Sequence, residues 1–542
     1  MLSALKSLIE RIEYFEKLFG NWGEDADISF YEPKTRRHPM NEPIIVGPLL
    51  GFEAGEYYTV CILTEPMVAP PTLKVSGKTK RLAFAKKATV GNNEFWRAEF
   101  KVTARAKGAN IEYAIHCKSD TLTDLHGRDR WEFYVPGKTE QPKIAYASCN
   151  GFSSVKLVRD TNEPFALWQL MAATHQGTTA QAAQPFALLL LGGDQVYADD
   201  IWESKRCPSL KAWSDLSQVA QQEAKVTATM TTEIGAFYDW LYTDRWRDEN
   251  MSLMFASIPS VMMWDDHDIF DGWGSYPEKR QNCAVFQAVF SHASRVFEVF
   301  QLRCSARNRM SPGKHHRTLA VRFRDYHILV LDNRSERLMD RIMSEENWRD
   351  VKNWLTGLAG ESVRNLLVLT GVPVVYRSFS AVEAVIDTTP WNEEIEDDVH
   401  DHWSSRSHLA ERMRLVMVLL NFLEQHTADK CKAVLLSGDV HVGALGQLWH
   451  ARKELGITQV IASGIVHPPP SAFQWAGIQL MTADTPESLG DGDVTAAMLT
   501  PLGSPRYLRT RNFATLQTGT DNKIWVNWIC ENKNWKPSFA IS

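Results

Sequence analysis

FALLLLGGDQVYADD, residues Phe186–Asp200, changes character halfway along its length. Phe186–Leu191 run without a polar side chain, Gly192 and Gly193 follow, and then come Asp194, Tyr197, Asp199 and Asp200. An unbroken apolar run that stops at glycine reads as a strand covered on both faces. In open α/β sheets the loops beyond the carboxyl ends of such strands gather ligands. The same grammar recurs along the chain, in KIAYASC (Lys143–Cys149), SIPSVMMWDD (Ser257–Asp266), HILVLDN (His327–Asn333), LLVLTG (Leu366–Gly371), KAVLLSGD (Lys432–Asp439) and ITQVIASG (Ile457–Gly464). Helical periods lie between these runs, at Glu233–Trp246, Ala284–Phe300 and Leu409–Gln425. The chain therefore reads as α/β from about residue 139 onward.

Upstream of that region the text is different. EYYTVCILT, TLKVSG, EFWRAEFKVTA, NIEYAIHC and WEFYVPG alternate β-branched or aromatic residues with polar ones between turn formers. They predict a small all-β sandwich over 43–138 ahead of a catalytic domain over 139–542, with Pro136–Lys143 as the linker. At 542 residues the chain exceeds one ordinary core, which agrees with this division. Residues 1–42 form an N-terminal extension. Leu5, Leu8, Ile9, Ile12, Phe15, Leu18 and Phe19 keep a helical period there, predicting an amphipathic helix that packs on the body or on a second copy in a homo-oligomer. Pro468–Pro470 and Thr482–Arg506 read as an irregular surface excursion, and KIWVNWICENKNWKP as a closing strand or hairpin.

Composition excludes several classes. The formal net charge is −6, so no broad basic field exists to hold a polyanion, and dedicated nucleic-acid binding is not expected. No run approaches the ~20 apolar residues of a membrane span. Lys6, Glu10, Arg11, Glu13 and Lys17 interrupt every candidate signal-peptide core. Eight widely separated cysteines suit free thiols in a reducing compartment, and the cytoplasm is the predicted location. No strand leads into G-x-G-x-x-G, which disfavours a dinucleotide oxidoreductase, and the absence of a G-x-S-x-G elbow disfavours a serine hydrolase.

The chemistry is concentrated at the strand ends. KIAYA leads to Ser148-Cys149-Asn150, FALLLLGG to Asp194 and Tyr197, SVMMW to Asp265-Asp266-His267-Asp268 and on to Asp271, and AVLLSG to Asp439-Val440-His441. Singly, such an Asp is a helix cap, such a Cys an inert core thiol and such a His a satisfied core residue. Jointly they crowd carboxylates whose burial is costly without a cation. Carboxylate, imidazole, phenol and thiol together suit a transition metal, with the remaining oxygens able to hold Ca²⁺ or Mg²⁺.

GGDQVYAD, WDDHD and SGDVH follow in the order of the second, third and fourth blocks of the calcineurin-like metallophosphoesterases. With Ser148-Cys149-Asn150 in place of the first block and Tyr197 three residues after Asp194, the chain resembles the alkaline phosphatase D (PhoD) family. The likeness runs from about Gly47 onward and includes GPLLGFEAGEYYTVCILT. It implies a four-layer metallophosphoesterase β-sandwich flanked by helices, hydrolysing small phosphate esters with metal-activated water. It further implies Fe³⁺ bridged to Ca²⁺, with Cys149, Asp194, Tyr197, Asp265 and Asp439 as ligands and His441 beside them. Asp271 stands where many members carry an asparagine ligand, so another divalent ion could occupy the second position. His267 is the implied phosphate contact or proton donor, Asp266 the carboxylate that orients it, and Arg334 a phosphate-binding guanidinium followed by Arg337. Asp401, Trp403 and Arg412 match a segment at the family's substrate mouth. His467 reads as a plain loop histidine. Two other readings remain: a diesterase for nucleotides or glycerophosphodiesters, and a catalytically silent binding or scaffold protein.

Overall fold

The computed structural model describes residues 44–179, 184–378, 401–490 and 492–542, so the predicted N-terminal helix lies outside the described residues. Every predicted apolar run is a strand: Lys143–Ala147, Phe186–Gly192, Ser260–Met263, Tyr326–Val330, Asn365–Leu369, Lys432–Ser437 and Leu455–Ile461. The first three pair in parallel within one sheet, and the last four pair in parallel within a second.

The first sheet extends in both directions. Beyond Ser260–Met263 it takes Val46–Glu53 in parallel, then Tyr57–Thr64, Asn93–Lys101 and Ala85–Val90. Beyond Lys143–Ala147 it takes the antiparallel series Asn512–Thr518, Ile524–Cys530 and Ser538–Ile541. The segment 43–138 thus divides its strands, because Thr72–Val75, Ala109–Cys117 and Trp131–Val135 pair in a smaller sheet of their own.

Alternation along the second sheet explains why its strands read as unbroken apolar runs. Ile328, Val330, Leu367, Leu369, Val434 and Leu436 join the core shared with the first sheet. Their neighbours Leu329, Leu366, Val368, Ala433 and Leu435 join a second core with the helices Glu345–Gly357 and Leu409–Gln425. Side chains one residue apart leave opposite faces of a strand, so a strand between two cores needs apolar residues at every position.

One expectation fails. Thr482–Arg506 is not wholly irregular: Glu487–Leu489 and Val494–Leu499 are strands, and the latter pairs antiparallel with Gly443–His450. Val494, Ala496 and Met498 are the buried members of that strand, a period-two signal too short to stand out between turn-rich flanks. All eight cysteines are free thiols, and among the described residues no helix is long and apolar enough to cross a membrane.

Candidate metal centre

The carboxyl ends of the two parallel sets meet at one edge. Here the backbone enters left-handed space at four non-glycine residues, Cys149 (φ 54°), Asp194 (φ 53°), Asp439 (φ 65°) and His441 (φ 52°). That conformation is unfavourable for residues with a Cβ and persists where the surroundings fix it. Cys149 N–H donates to Gly193 O and Asn150 N–H to Asp194 O, locking the first two loops together. A Cβ on Gly193 would lie 2.7 Å from Asp265 Cβ, and one on Gly371 would lie 2.7 Å from Asp265 Oδ2. Asp265 therefore fits only because two loops beside it carry no side chain.

Asp194, Asp265 and Asp266 each offer an oxygen within 4.8 Å of the others. Asp266, His267 and Asp271 form a second such group, so Asp266 belongs to both. Asp194 Oδ1, Asp265 Oδ2 and Asp266 Oδ1 are buried and have no hydrogen-bond partner among the described residues. Burial, with the neighbouring charges of Cys149 and Asp265 added, pushes the Asp194 carboxyl well above the usual carboxylate range. Burial raises Asp265 to about 7 despite its contact with Arg334. Asp439 is pushed up as well, by burial first and then by Asp265, Asp401 and Asp266. A protein leaves carboxylate oxygens buried and unpaired at a cost of several kcal/mol, roughly, unless a cation completes them. The donor set fits a bound metal.

Thiol, phenol and imidazole adjoin this acidic cluster. Cys149 Sγ lies 3.4 Å from Asp194 Oδ2, 3.4 Å from Ser148 Oγ and 3.1 Å from Ser463 Oγ. Burial raises the thiol, while the two hydroxyls act in the opposite sense by favouring the thiolate. Tyr197 OH and His441 Nε2 are 3.3 Å apart. The structure thus brings Cys149 against Asp194 and Tyr197 against His441, with buried Asp265, Asp266 and His267 and half-exposed Asp271 in the neighbouring groups.

Two sequence expectations meet a different geometry. The carboxylate on His267 is Asp199, with both oxygens 2.9 Å from Nδ1, and not Asp266. Asp266 instead accepts from Gly272 N–H and turns its other oxygen toward the cluster. Although burial opposes it, the charges of Asp199 and Asp266 hold the His267 imidazole well above its ordinary pKa. His267 Nε2 then faces Asp271 Oδ1 at 4.0 Å, on the side where Asp271 is half exposed.

Arg334, expected at a phosphate, is fully buried among carboxylates. Its Nε bonds Asp265, one terminal nitrogen bonds Trp273 O and Asp401 Oδ1, and the other bonds Asp401 Oδ2 and faces Asp266 Oδ1 at 3.4 Å. Four of its five N–H groups are hydrogen-bonded within the protein and the remaining one lies toward Asp266, so the guanidinium is committed to carboxylates and not to a phosphate oxygen. Arg337 is drawn to the same carboxylate, with Nε 3.1 Å from Asp401 Oδ1. Of the other mouth-segment residues, Trp403 is buried and Arg412 binds Val374 O and Glu487.

Sequence reading passed over Asp268, whose carboxylate accepts from Gln195 N–H, Val196 N–H, Asp265 N–H and Gln301. It ties the second loop to the third. Ser463, which the sequence does not single out, and His467, which reads there as a plain loop histidine, both abut the Cys149 loop.

A family model described as PhoD related phosphatase matches residues 112–393, more than half of the chain. An uncharacterized protein of Saccharomyces cerevisiae is 27% identical over 468 residues, covering 70% of this chain. The chain spans 63% of the length of that relative. Among solved structures, one described as the structure of PhoD superposes with a TM-score of 0.54 at 13% identity, covering 93% of this chain and 94% of its own. That likeness extends across the α/β architecture described above.

Proposed function

The chain belongs to the PhoD related phosphatase family, and on that footing we propose that it is a metallophosphoesterase hydrolysing small phosphate esters at the carboxyl edge of its two sheets. The observation that carries this reading is the pair of ligand groups sharing Asp266, with three buried carboxylate oxygens that have no hydrogen-bond partner among the described residues. The cluster has the charge and the donors of a two-cation site. Cys149, Asp194, Tyr197 and Asp439 would hold the transition-metal ion, read as Fe³⁺, with His441 against the phenol. Asp265, Asp266 and Asp271, all oxygen donors, would hold the second ion, read as Ca²⁺. The four-layer stacking belongs to the same reading and is supported by the two cores on either side of the second sheet; the division into 43–138 and 139–542 is proposed with it, on the smaller sheet that Thr72–Val75, Ala109–Cys117 and Trp131–Val135 form.

When bound, such ions lower the pKa of a water and neutralise the charge that grows on the phosphoryl oxygens during in-line displacement. The chain's own groups supply the rest. Asp199 holds His267 at Nδ1, leaving Nε2 on the open side to meet a phosphoryl oxygen or protonate the leaving alkoxide. Arg334 keeps Asp265 and Asp401 in place from beneath. Asp199→Asn is expected to lower turnover about 10–100-fold, as loss of a group that orients a site histidine does. Steady-state rates at saturating substrate check this, and an unchanged rate would remove His267 from the proton-transfer role.

One observation favours a diesterase. Monoester dianions need more positive charge around the phosphate than diester monoanions, and Arg334 and Arg337 both face Asp401. The test compares p-nitrophenyl phosphate with bis-p-nitrophenyl phosphate, before and after chelation and restoration of Fe and Ca²⁺. Turnover of at least one ester that vanishes with chelator and returns with metal is expected, with the diester favoured. No turnover of either ester under any metal condition would sink the hydrolase reading and restore the silent binding protein.

A further inference from the structure

Ala462–His467 lies outside the four acidic blocks, yet the site is fastened to it. Ala462 N–H donates to Ser437 O, Ile465 N–H to Ser148 O, and the N–H groups of Val466 and His467 both to Cys149 O. From the other side Asn512 N–H donates to Gly464 O, and Asn512 Nδ2 donates to Ser463 O. Ser463 Oγ takes the His441 N–H at 2.9 Å and lies against the Cys149 sulfur. One turn thus braces the first and fourth blocks at once.

His467 ends this turn, and its side chain is buried. Its Nδ1 lies 2.8 Å from Pro468 O, a carbonyl that can only accept, so Nδ1 carries the proton. Nε2 is then the acceptor for Ser153 Oγ–H at 3.1 Å. With both nitrogens engaged, what the ring presents to the site is its flat surface. That surface stacks on His441, with ring centroids 3.5 Å apart and planes 17° from parallel. It also lies near-parallel to Tyr197, at 5.6 Å and 22°. Tyr197 stacks in turn on His267, at 4.3 Å. His441 occupies a left-handed backbone position, so its side-chain direction needs an external brace.

We propose that His467 is a positioning residue of the metal centre: its doubly anchored ring holds the His441 imidazole against Tyr197 by face contact. The inference rests on the metallophosphoesterase reading above. It assigns His467 neither a ligand nor a proton-transfer role.

The test uses the metal-loaded full chain with His467→Leu, which fills the space without a flat ring, and His467→Phe, which keeps the ring and loses both nitrogens. Metal content is measured by elemental analysis, metal release by time course against excess chelator, and folding by melting midpoint. His467→Leu is expected to release metal about 10–100-fold faster than wild type with little change in midpoint. His467→Phe is expected to release it close to the wild-type rate. Wild-type release from the Leu variant would overturn the proposal. Fast release from the Phe variant would overturn it too, by giving the role to the nitrogens. A wild-type protein that retains no metal under any loading condition would instead overturn the underlying reading.

Discussion

Asp194→Asn is expected to abolish metal retention and phosphate-ester turnover together, while making the metal-free protein more stable than metal-free wild type. The two halves of this result have one cause. Asp194 is almost wholly buried, its Oδ1 has no partner among the described residues, and burial with the adjacent Cys149 and Asp265 charges pushes its carboxyl upward. Without a cation the native state must confine that charge or protonate it, and either is unfavourable. Asparagine keeps the shape and removes the charge, so the metal-free fold gains on the order of 1 kcal/mol or more. The same change takes one negative charge from a site faced by Arg334, Arg337 and His267, and replaces a carboxylate oxygen with a weaker amide donor. Elemental analysis, p-nitrophenyl ester rates and calorimetry with and without chelator read the three effects. A metal-free variant with wild-type turnover would end the metallophosphoesterase reading, and a lower metal-free melting point would show that Asp194 is a structural acceptor.

Strand ends were the legible part of this chain. Asp194, Asp265, Asp266 and His267 stand within a few residues of the ends of Phe186–Gly192 and Ser260–Met263, strands whose apolar runs are unmistakable, and parallel strands deliver their ends to one edge; Asp271 comes with them farther along the same loop. Contacts across the sheet interface were not legible. Asp199 was visible in the opening stretch, but nothing in its spacing says that the short helical turn Asp199–Trp202 aims it at His267 rather than at its own N–H groups. Asp266, next to His267 in sequence, diverges from it at the turn and accepts from Gly272 N–H instead. His467 looked bland because a turn histidine beside prolines carries no periodic signal; its meaning lies in a stacking partner 26 residues earlier in sequence, His441. The partition of 43–138 between two sheets was hidden for a related reason. Alternation tells which face of a strand is buried but not which strand lies beside it, and the link to the first sheet is one parallel pairing of Val46–Glu53 with Ser260–Met263.

Arg334→Met is expected to destabilise the metal-free protein by about 3–5 kcal/mol, the cost of removing one partner from a buried charge network. The residue is fully buried, and its terminal nitrogens grip both Asp401 oxygens at 2.6 Å. Burial alone would raise Asp401, but Arg334 and then Arg337 outweigh it and hold the carboxyl well below the usual range. Its Nε also bonds Asp265, whose other oxygen has no partner among the described residues. Methionine fills much of the volume and none of the charge, so Asp265 would lose its ion pair with Arg334 while Asp401 kept Arg337. Two dependences separate this account from a phosphate-binding role for Arg334. Adding Asp265→Asn to Arg334→Met should recover part of the loss, because the orphaned charge goes with it. Loading with metal should recover more, because a cation beside Asp265 replaces the missing guanidinium. Urea unfolding of the single and double variants, with and without chelator, measures both. If Arg334→Met instead unfolds like wild type in every condition and only raises KM for the ester, the guanidinium faces substrate in solution, and the arrangement of carboxylates around it must open to let that happen.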